Sequence, residues 1–412
     1  MSALQHAKQE GTAVTLEKIR QSGLQEYGIF PENLAHKIER IRAEHRPADG
    51  NMVAAGALNN QDTEHMLLFL LKEMPDKVLD GLEILAFLLD AAEMLLYVPE
   101  GEECLRETLL TRAKERRMEV RVEEGLADMR YLRGSAVCHI ETLSALADAA
   151  EGIWKPGAWI CSKVKTAEKE VYGKPVFAPY GTAVKAFIPE GIKEIKGVQM
   201  GAGLYGPEAL DRQLTAWTAP GNGVITFYRT DCCMLQACEE ELIKQRSISC
   251  GKCTFCREGL GQLFTRIHEI TAGKGEWNGL AVMQEIGEAM PFSSLCSVGQ
   301  TGAEFTLNTL KYFENEVEDH IKKHKCTVGQ CLAFVNMYIE PSRCSGCGSC
   351  IPSCPADCIE GLPGYIHMIE DTDCTKCGKC MESCVETAII KTTRRTPPIP
   401  DRLTHIGRFK RY

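Results

Sequence analysis

Eight cysteines near the C-terminal end constrain this 412-residue chain more than any other feature. Cys344, Cys347, Cys350 and Cys354 follow C-x2-C-x2-C-x3-C, with Pro355 after the fourth, and Cys374, Cys377, Cys380 and Cys384 repeat the spacing thirty residues later. Three thiolates so spaced reach three irons of one cubane, and the fourth ligand of each run belongs to the other cluster. The pattern predicts Cys344, Cys347, Cys350 and Cys384 on one 4Fe-4S cluster and Cys374, Cys377, Cys380 and Cys354 on a second. Crossed ligation packs both cubanes into one small core, and a module this short has little other core. Val385 stands where proline often follows the second run, which relaxes a turn and removes no ligand. Cys358 has no place in the pattern.

A third set lies upstream in Cys250-Gly-Lys-Cys-Thr-Phe-Cys-Arg-Glu-Gly259. Cys250, Cys253 and Cys256 supply three thiolates, and Cys296 is the candidate fourth. Between them Leu260, Leu263, Phe264 and Ile267, then Leu280, Met283 and Ile286, recur at helical spacing. That predicts a helical hairpin returning Cys296 to the loop and a third 4Fe-4S cluster. The alternatives are a cluster of reduced thiols or zinc, which more often takes paired C-x2-C knuckles than a triplet. Further on, His320, Cys326 and Cys331 have spacing H-x5-C-x4-C, which suits either tetrahedral zinc or ordinary thiols at a hinge.

Composition narrows the setting. Charged residues are 25% and hydrophobic residues 44%, ordinary for a globular protein of about two to four domains. A net charge of −9 gives no reason to expect nucleic acid or an anionic membrane as partner. No apolar run reaches the length of a membrane span, and the first residues lack the apolar core of a signal peptide. With that start, 21 cysteines in tight clusters predict metal in a reducing cytoplasm rather than disulfides.

Organisation follows from these marks. Residues 1–50 read as a polar helical extension, in which Leu34, Ile38 and Ile41 form one stripe and the Lys and Arg a solvated face. Residues 51–160 read as an α/β domain with a strand at Met118-Glu-Val-Arg-Val122, and 161–231 as a small Gly/Pro-rich α+β domain. The latter contains Gly201-Ala-Gly-Leu-Tyr-Gly206, a formal G-x-G-x-x-G preceded by a poor strand, so glycine turns are expected there rather than a dinucleotide site. Residues 232–325 read as a helical iron–sulfur bundle whose last helix carries Leu307, Leu310, Phe313, Val317 and Ile321. A linker at 326–340, a bacterial ferredoxin-like α+β domain at 341–391 and an irregular tail at 392–412, lying along a partner or another domain, complete the chain. Cys104, Cys138 and Cys161 are isolated and read as core residues.

From about Met52 onward the chain resembles the flavoprotein subunit of respiratory complex I. It is most similar to the version in soluble bifurcating hydrogenases and NAD-linked formate dehydrogenases, which ends in a two-cluster ferredoxin. The resemblance rests on Ser249-Cys-Gly-Lys-Cys-Thr-Phe-Cys-Arg-Glu-Gly259, Leu295-Cys-Ser-Val-Gly299, Thr230-Asp-Cys-Cys-Met234 and Lys325-Cys-Thr-Val-Gly-Gln-Cys331. It implies a flavoprotein-like α/β domain and, by match to Cys233, a fourth ligand for a structural zinc with His320, Cys326 and Cys331. It also exposes departures. The family's glycine-rich flavin loop is missing. Where its N-A-D-E stretch falls, this chain has Val53-Ala-Ala-Gly-Ala-Leu-Asn-Asn60. Near the G-E-E-T segment it has Tyr131-Leu-Arg-Gly-Ser-Ala-Val137, and near N-N-V-E-T it has Pro179-Tyr-Gly-Thr-Ala183. A flavin phosphate needs N–H donors in a glycine turn, so FMN is expected to be absent.

No catalytic dyad or triad stands out. The expectation is an electron-transfer subunit with three 4Fe-4S clusters, serving partners that include a flavin- or NAD(P)H-binding subunit and ferredoxin. The rivals are an FMN-containing NAD(P)H dehydrogenase subunit, in which an unfamiliar loop holds the flavin, and a structural adaptor.

Overall fold

The structure, a computed structural model, describes residues 2–26, 31–46, 50–59, 62–125 and 135–410. Contacts gather the chain into two compact units. One comprises Met1–Thr230, Glu240–Leu263 and Val282–Tyr312; the other comprises Asp231–Glu239, Phe264–Ala281 and Phe313–Tyr412.

The first unit opens with α1 (Ala3–Glu10), α2 (Thr12–Ser22), the pair β1 (Gln25–Glu26) and β2 (Glu32–Asn33), and α3 (Leu34–Glu44). There follow β3 (Val53–Ala57), α4 (Phe69–Glu73), α5 (Pro75–Leu89), β4 (Glu93–Val98), α6 (Glu103–Glu115), β5 (Arg121–Glu124), β6 (Ser135–His139) and α7 (Ile140–Ala150). The four strands form a parallel sheet in the order β5-β4-β3-β6. Parallel pairing demands crossovers; α4 and α5 supply the one from β3 to β4, and α6 the one from β4 to β5. Gly81 lets α5 touch α7, since a Cβ there would sit 1.9 Å from the Leu143 carbonyl oxygen.

Two expectations change here. Residues before 51 are not an appendage: Leu16, Ile19, Leu34 and Ile38 are buried in one core with Leu79, Leu82, Leu85 and Leu143. The strand expected from Met118 begins at Arg121. Arg117 takes a positive φ and the Met118 N–H bonds the Ala113 carbonyl, so these residues close α6 instead.

The same unit holds a mixed sheet of β7 (Gly157–Lys165), β8 (Glu170–Tyr172), β9 (Val176–Pro179), β10 (Ile195–Met200), β11 (Gly203–Tyr205) and β12 (Val224–Arg229). β12 runs parallel to β7 and the other pairings are antiparallel. The G-x-G-x-x-G is the β10–β11 hairpin: Met200 pairs with Gly203, and Gly201 turns the chain at φ +61°.

The helical stretch comprises α8 (Met234–Ile248), α9 (Thr254–Thr271), α10 (Gly279–Ser293), α11 (Ser297–Thr301), α12 (Glu304–Tyr312) and α13 (Glu314–Ile321). The single helix expected through Leu307 and Ile321 is broken at Phe313, whose φ and ψ of −123° and 32° leave the helical region. A 3.6-residue stripe does not register a break of one residue.

The second unit contains the cysteine-rich module, with β13 (Asn336–Ile339), β14 (Ile359–Glu360), β15 (Met368–Ile369), α14 (Lys379–Glu382) and β16 (Ile389–Thr392). β13 pairs antiparallel with β16, Tyr338 opposite Ile390, so the end of the expected 326–340 linker is a strand of this module. The tail lies on the module's own loop: the Ile366 N–H bonds Thr404 O at 2.8 Å, and the Tyr365 and His405 rings stack at 4.0 Å. Among the described residues no helix is long and apolar enough to cross a membrane.

Candidate iron–sulfur and metal centres

The module's core is made of sulfur as much as hydrocarbon. Cys350 and Cys380 are buried with Met337, Ile339, Ile359, Ile369 and Ile389, while Cys347 and Cys377 are exposed. Burial pushes the Cys350 thiol up to about 11, and the charges of Cys344, Cys384 and Cys347 push the same way. Burial likewise raises Cys380, whose charged neighbours are Cys374, Cys354 and Cys377. The fold thus gathers the two sets of four that the crossed pattern predicts. Thiolates crowded in an apolar core need a cation to neutralise them, and the iron of a bound cluster would supply it. N–H groups already face the sulfurs: Ala388 N–H donates to Cys384 Sγ at 3.3 Å and Lys376 N–H to Cys374 Sγ at 3.4 Å. Such bonds hold a ligand sulfur in place and temper its charge. Buried His367 places Nδ1 4.0 Å from Cys344 Sγ.

The third set is in the first unit. Gly251, at φ +72°, turns the loop after Cys250, and Cys253 immediately precedes α9, its carbonyl accepting the Arg257 N–H at 3.0 Å. Cys256 is buried, and beyond burial itself the charges that raise its thiol are those of Cys296, Cys253 and Cys250. A Cβ on Gly299 would sit 2.9 Å from Cys256 Cβ, so glycine is what lets the Cys296 loop close over Cys256. The expected hairpin also forms, since a Cβ on Gly259 would meet Met290 sulfur at 2.9 Å and Ile286 at 3.4 Å. Four thiols converge beside the N-terminus of an 18-residue helix, whose dipole favours a negatively charged cluster.

In the second unit Cys233, His320, Cys326 and Cys331 are all buried, with ligand atoms within 4.8 Å of one another. Cys233 Sγ lies 3.5 Å from His320 Nε2 and 3.6 Å from Cys331 Sγ. The Glu316 carbonyl, 2.7 Å from His320 Nδ1, fixes the ring so that Nε2 faces the sulfurs. Burial works against an imidazolium here, yet hydrogen bonds to the Cys233 and Cys326 sulfurs hold the His320 pKa up at about 10. Three thiols and one imidazole gathered this closely make a Cys3His donor set of the kind that fits tetrahedral zinc.

Sequence reasoning missed a buried ionic group in the first unit and placed Lys37 on a solvated face. Glu26, 7% exposed, accepts the His139 backbone N–H at 2.9 Å and meets its ring Nδ1 at 2.5 Å. Lys37 Nζ lies 3.6 Å from Glu26 and donates to the Val137 carbonyl at 2.6 Å. Burial opposes a charged Glu26, but Lys37 and His139 outweigh it and hold the pKa at about 2. Glu26 and His139 are 113 residues apart and Lys37 and Val137 100, so no local pattern signals these contacts. Because the folded pKa is depressed from 4.5, the stabilisation is complete above about pH 4.5 and lost as pH falls through about 2. Glu26→Gln should cost about 3–5 kcal/mol at neutral pH by leaving Lys37 buried without its partner. Urea unfolding followed by tryptophan fluorescence checks this, and the difference from wild type should shrink below about pH 4.5.

A nearby cleft is acidic, lined by Asp62, Glu64 and Glu241 with Gln199, Asn222 and Thr226. Burial pushes Asp62 up to about 6, against the pull of the Met66 and Leu67 N–H groups it caps. Glu64 binds Lys163 at 2.6 Å and Lys244 at 2.9 Å. The isolated Cys138 and Cys161 are buried, but Cys104 is exposed rather than in the core. Of the segments that depart from the flavin motifs, Asn60 and 131–134 lie outside the described residues.

Comparison with known proteins agrees with this geometry. Residues 242–320 match the NADH-ubiquinone oxidoreductase-F iron-sulfur binding region, and residues 337–360 match the 4Fe-4S binding domain. Over these two stretches the chain is similar to the iron–sulfur regions of flavoprotein-type oxidoreductase subunits and of ferredoxins. Its relatives include NADP-reducing hydrogenase subunit HndC of Solidesulfovibrio fructosivorans, 36% identical over 36% of this chain and 30% of that protein. The beta subunit of the NADP(+)-dependent formate dehydrogenase of Moorella thermoacetica is 24% identical over 48% of this chain and 30% of its own length. The crystal structure of NAD+-reducing [NiFe]-hydrogenase in the H2-reduced state shares the fold, with a TM-score of 0.63 over 78% of this chain and 64% of that one at 19% identity. This chain spans less than two thirds of each of these proteins.

Proposed function

We propose that this chain is an electron-transfer subunit of a multisubunit cytoplasmic oxidoreductase, relaying single electrons through three 4Fe-4S clusters without a flavin of its own. Cys250, Cys253, Cys256 and Cys296 hold one cluster, and the two crossed sets of the ferredoxin module hold the others. A structural zinc sits on Cys233, His320, Cys326 and Cys331. In domain terms, a flavoprotein-like α/β domain, a small α+β domain and a helical cluster domain precede the ferredoxin. When bound, such clusters take up and release one electron at a time. The chain's own part is to hold the ligands, give N–H donors to the sulfurs and keep the cluster cores dry. Electrons enter and leave through partners, among them a flavin- or NAD(P)H-binding subunit and ferredoxin.

The observation that carries the flavin-free reading is Glu26. Open parallel sheets bind ligands beyond the carboxyl ends of the strands, where strand order reverses. In this sheet the order reverses between β3 and β6, and α7 starts there. A ligand phosphate would take an N–H group at that helix start. Here the Glu26 carboxylate takes the His139 N–H instead, with Lys37 and His139 balancing its charge.

The test is direct. The anaerobically reconstituted chain should contain no FMN, take up none at micromolar concentration, and fail to oxidise NADH with an artificial acceptor. Reduced ferredoxin should still reduce its clusters. Stoichiometric flavin with NADH oxidation would restore the dehydrogenase reading, and clusters that never change redox state in the working complex would make the chain an adaptor.

A further inference from the structure

The cysteine-rich module changes sign along its length. Residues 336–390 hold eight Asp and Glu against three Lys and Arg, whereas residues 391–410 hold six Lys and Arg against Asp401 alone. On a chain of net charge −9 this basic strap is a local reversal.

The strap's backbone is pinned to the module. The Arg394 carbonyl accepts from Asn336 Nδ2 at 3.1 Å, and the Ile406 N–H donates to the Gly364 carbonyl at 3.2 Å. Between these anchors Tyr365 and His405 form a bridge with their rings stacked. Its charges are not pinned: Arg394, Arg395, Arg402, Arg408 and Lys410 are all exposed. Among the described residues the module's ion pair joins Lys376 to Asp371 instead. A fixed backbone that presents cations to solvent is preorganised to meet an anionic surface, since little order remains to be imposed on binding.

The strap also lies beside a cluster cysteine. Ile406, Gly407 and Phe409 line a cleft of about 560 Å³ with Cys344 and Ser345. Cys347, the next cysteine of the same run, is exposed. Leu403 and Ile406, 48% and 41% exposed, add apolar surface among the cations. Charges around a small apolar centre, next to a site for one-electron chemistry, suit a weak and fast encounter.

We propose that the strap at 391–410 is the docking surface for a small acidic one-electron carrier of the ferredoxin kind, placed to exchange electrons at the Cys344, Cys347, Cys350 and Cys384 set. The inference rests on the cluster and electron-transfer reading above. Each encounter passes one electron: the carrier is oxidised, the chain is reduced, and no bond is made or broken. A small carrier meets the strap alone, whereas an extended anionic surface such as a membrane also meets the acidic remainder of the chain and is repelled by it.

The test uses the full chain, reconstituted anaerobically, with a purified acidic two-cluster ferredoxin as the probe. Surface plasmon resonance reads binding of the oxidised proteins, and stopped flow reads reduction. The wild-type rate should fall about tenfold or more as ionic strength rises from about 0.02 to 0.3 M. The variant Arg402→Gln, Arg408→Gln, Lys410→Gln should bind about tenfold more weakly and be reduced about tenfold more slowly at low salt, with about twelve iron retained. Reduced methyl viologen, a small cation, should reduce variant and wild type equally fast. A variant that matches wild type in binding and rate would overturn the proposal, as would a variant slowed equally toward methyl viologen. If the variant loses iron, wild type decides alone: a rate indifferent to salt overturns the proposal. Capture of the chain by phosphatidylserine vesicles, with a ferredoxin rate indifferent to the strap, would give this surface to a membrane instead. Wild type that binds ferredoxin in a salt-dependent way yet is never reduced by it would uphold the docking surface and defeat the electron-transfer reading.

Discussion

Cys253→Ser should remove one third of the iron, from about twelve to about eight per chain, and leave both ferredoxin clusters reducible. Cys253 stands immediately before α9, and serine is a favoured residue at that position. The substitution therefore leaves the helix start intact and removes only the thiolate. What remains is Cys250, Cys256 and Cys296, with Cys256 buried and its thiol already raised. With three thiolates one iron is left open to water at a loop where Cys250 is exposed, and the cluster is expected to be lost. Iron and sulfide analysis, with the resonance spectrum of the reduced protein, reads the result. Loss of the two ferredoxin signals with the third spared would show that the cysteines are partitioned wrongly.

The second large effect concerns the buried Cys3His set. Purified protein should carry about one zinc that survives mild iron chelation, and Cys331→Ala should release it without bleaching the cluster absorbance. Apparent binding of structural zinc in peptides is worth ~10–16 kcal/mol, so losing one of four ligands should loosen the segment that Cys326 and Cys331 anchor. That segment runs directly into β13, whose pairing with β16 closes the ferredoxin module. Protease sensitivity should therefore rise around 322–335. The sign with pH is also set: zinc needs deprotonated thiolates, so wild-type protein should lose the metal as pH falls. Protein purified anaerobically without zinc would make these four ordinary buried side chains.

The candidate cluster cysteines were legible because their spacing is local. Cys250, Cys253 and Cys256, and the two runs of the ferredoxin module, lie within ten residues of one another, and spacing alone aims them at one cubane. Helical periodicity likewise announced the hairpin that returns Cys296. Spacing offered only His320, Cys326 and Cys331 of the metal set; Cys233, 87 residues from His320, came from the family resemblance, and the fold puts the two 3.5 Å apart.

Elsewhere packing decided. Lys37 looked like part of a solvated face because helical periodicity reports the apolar stripe and not what covers the other side. The fold buries it against Glu26 and the Val137 carbonyl. β13 looked like linker because four residues without a partner have no strand signal until β16 pairs with them. Cys358 read as a cysteine without a role, and only the turn after Cys354 sets the two sulfurs 3.3 Å apart. Ligand spacing belongs to the chain, whereas charge burial and strand pairing belong to neighbours that the chain meets only when folded.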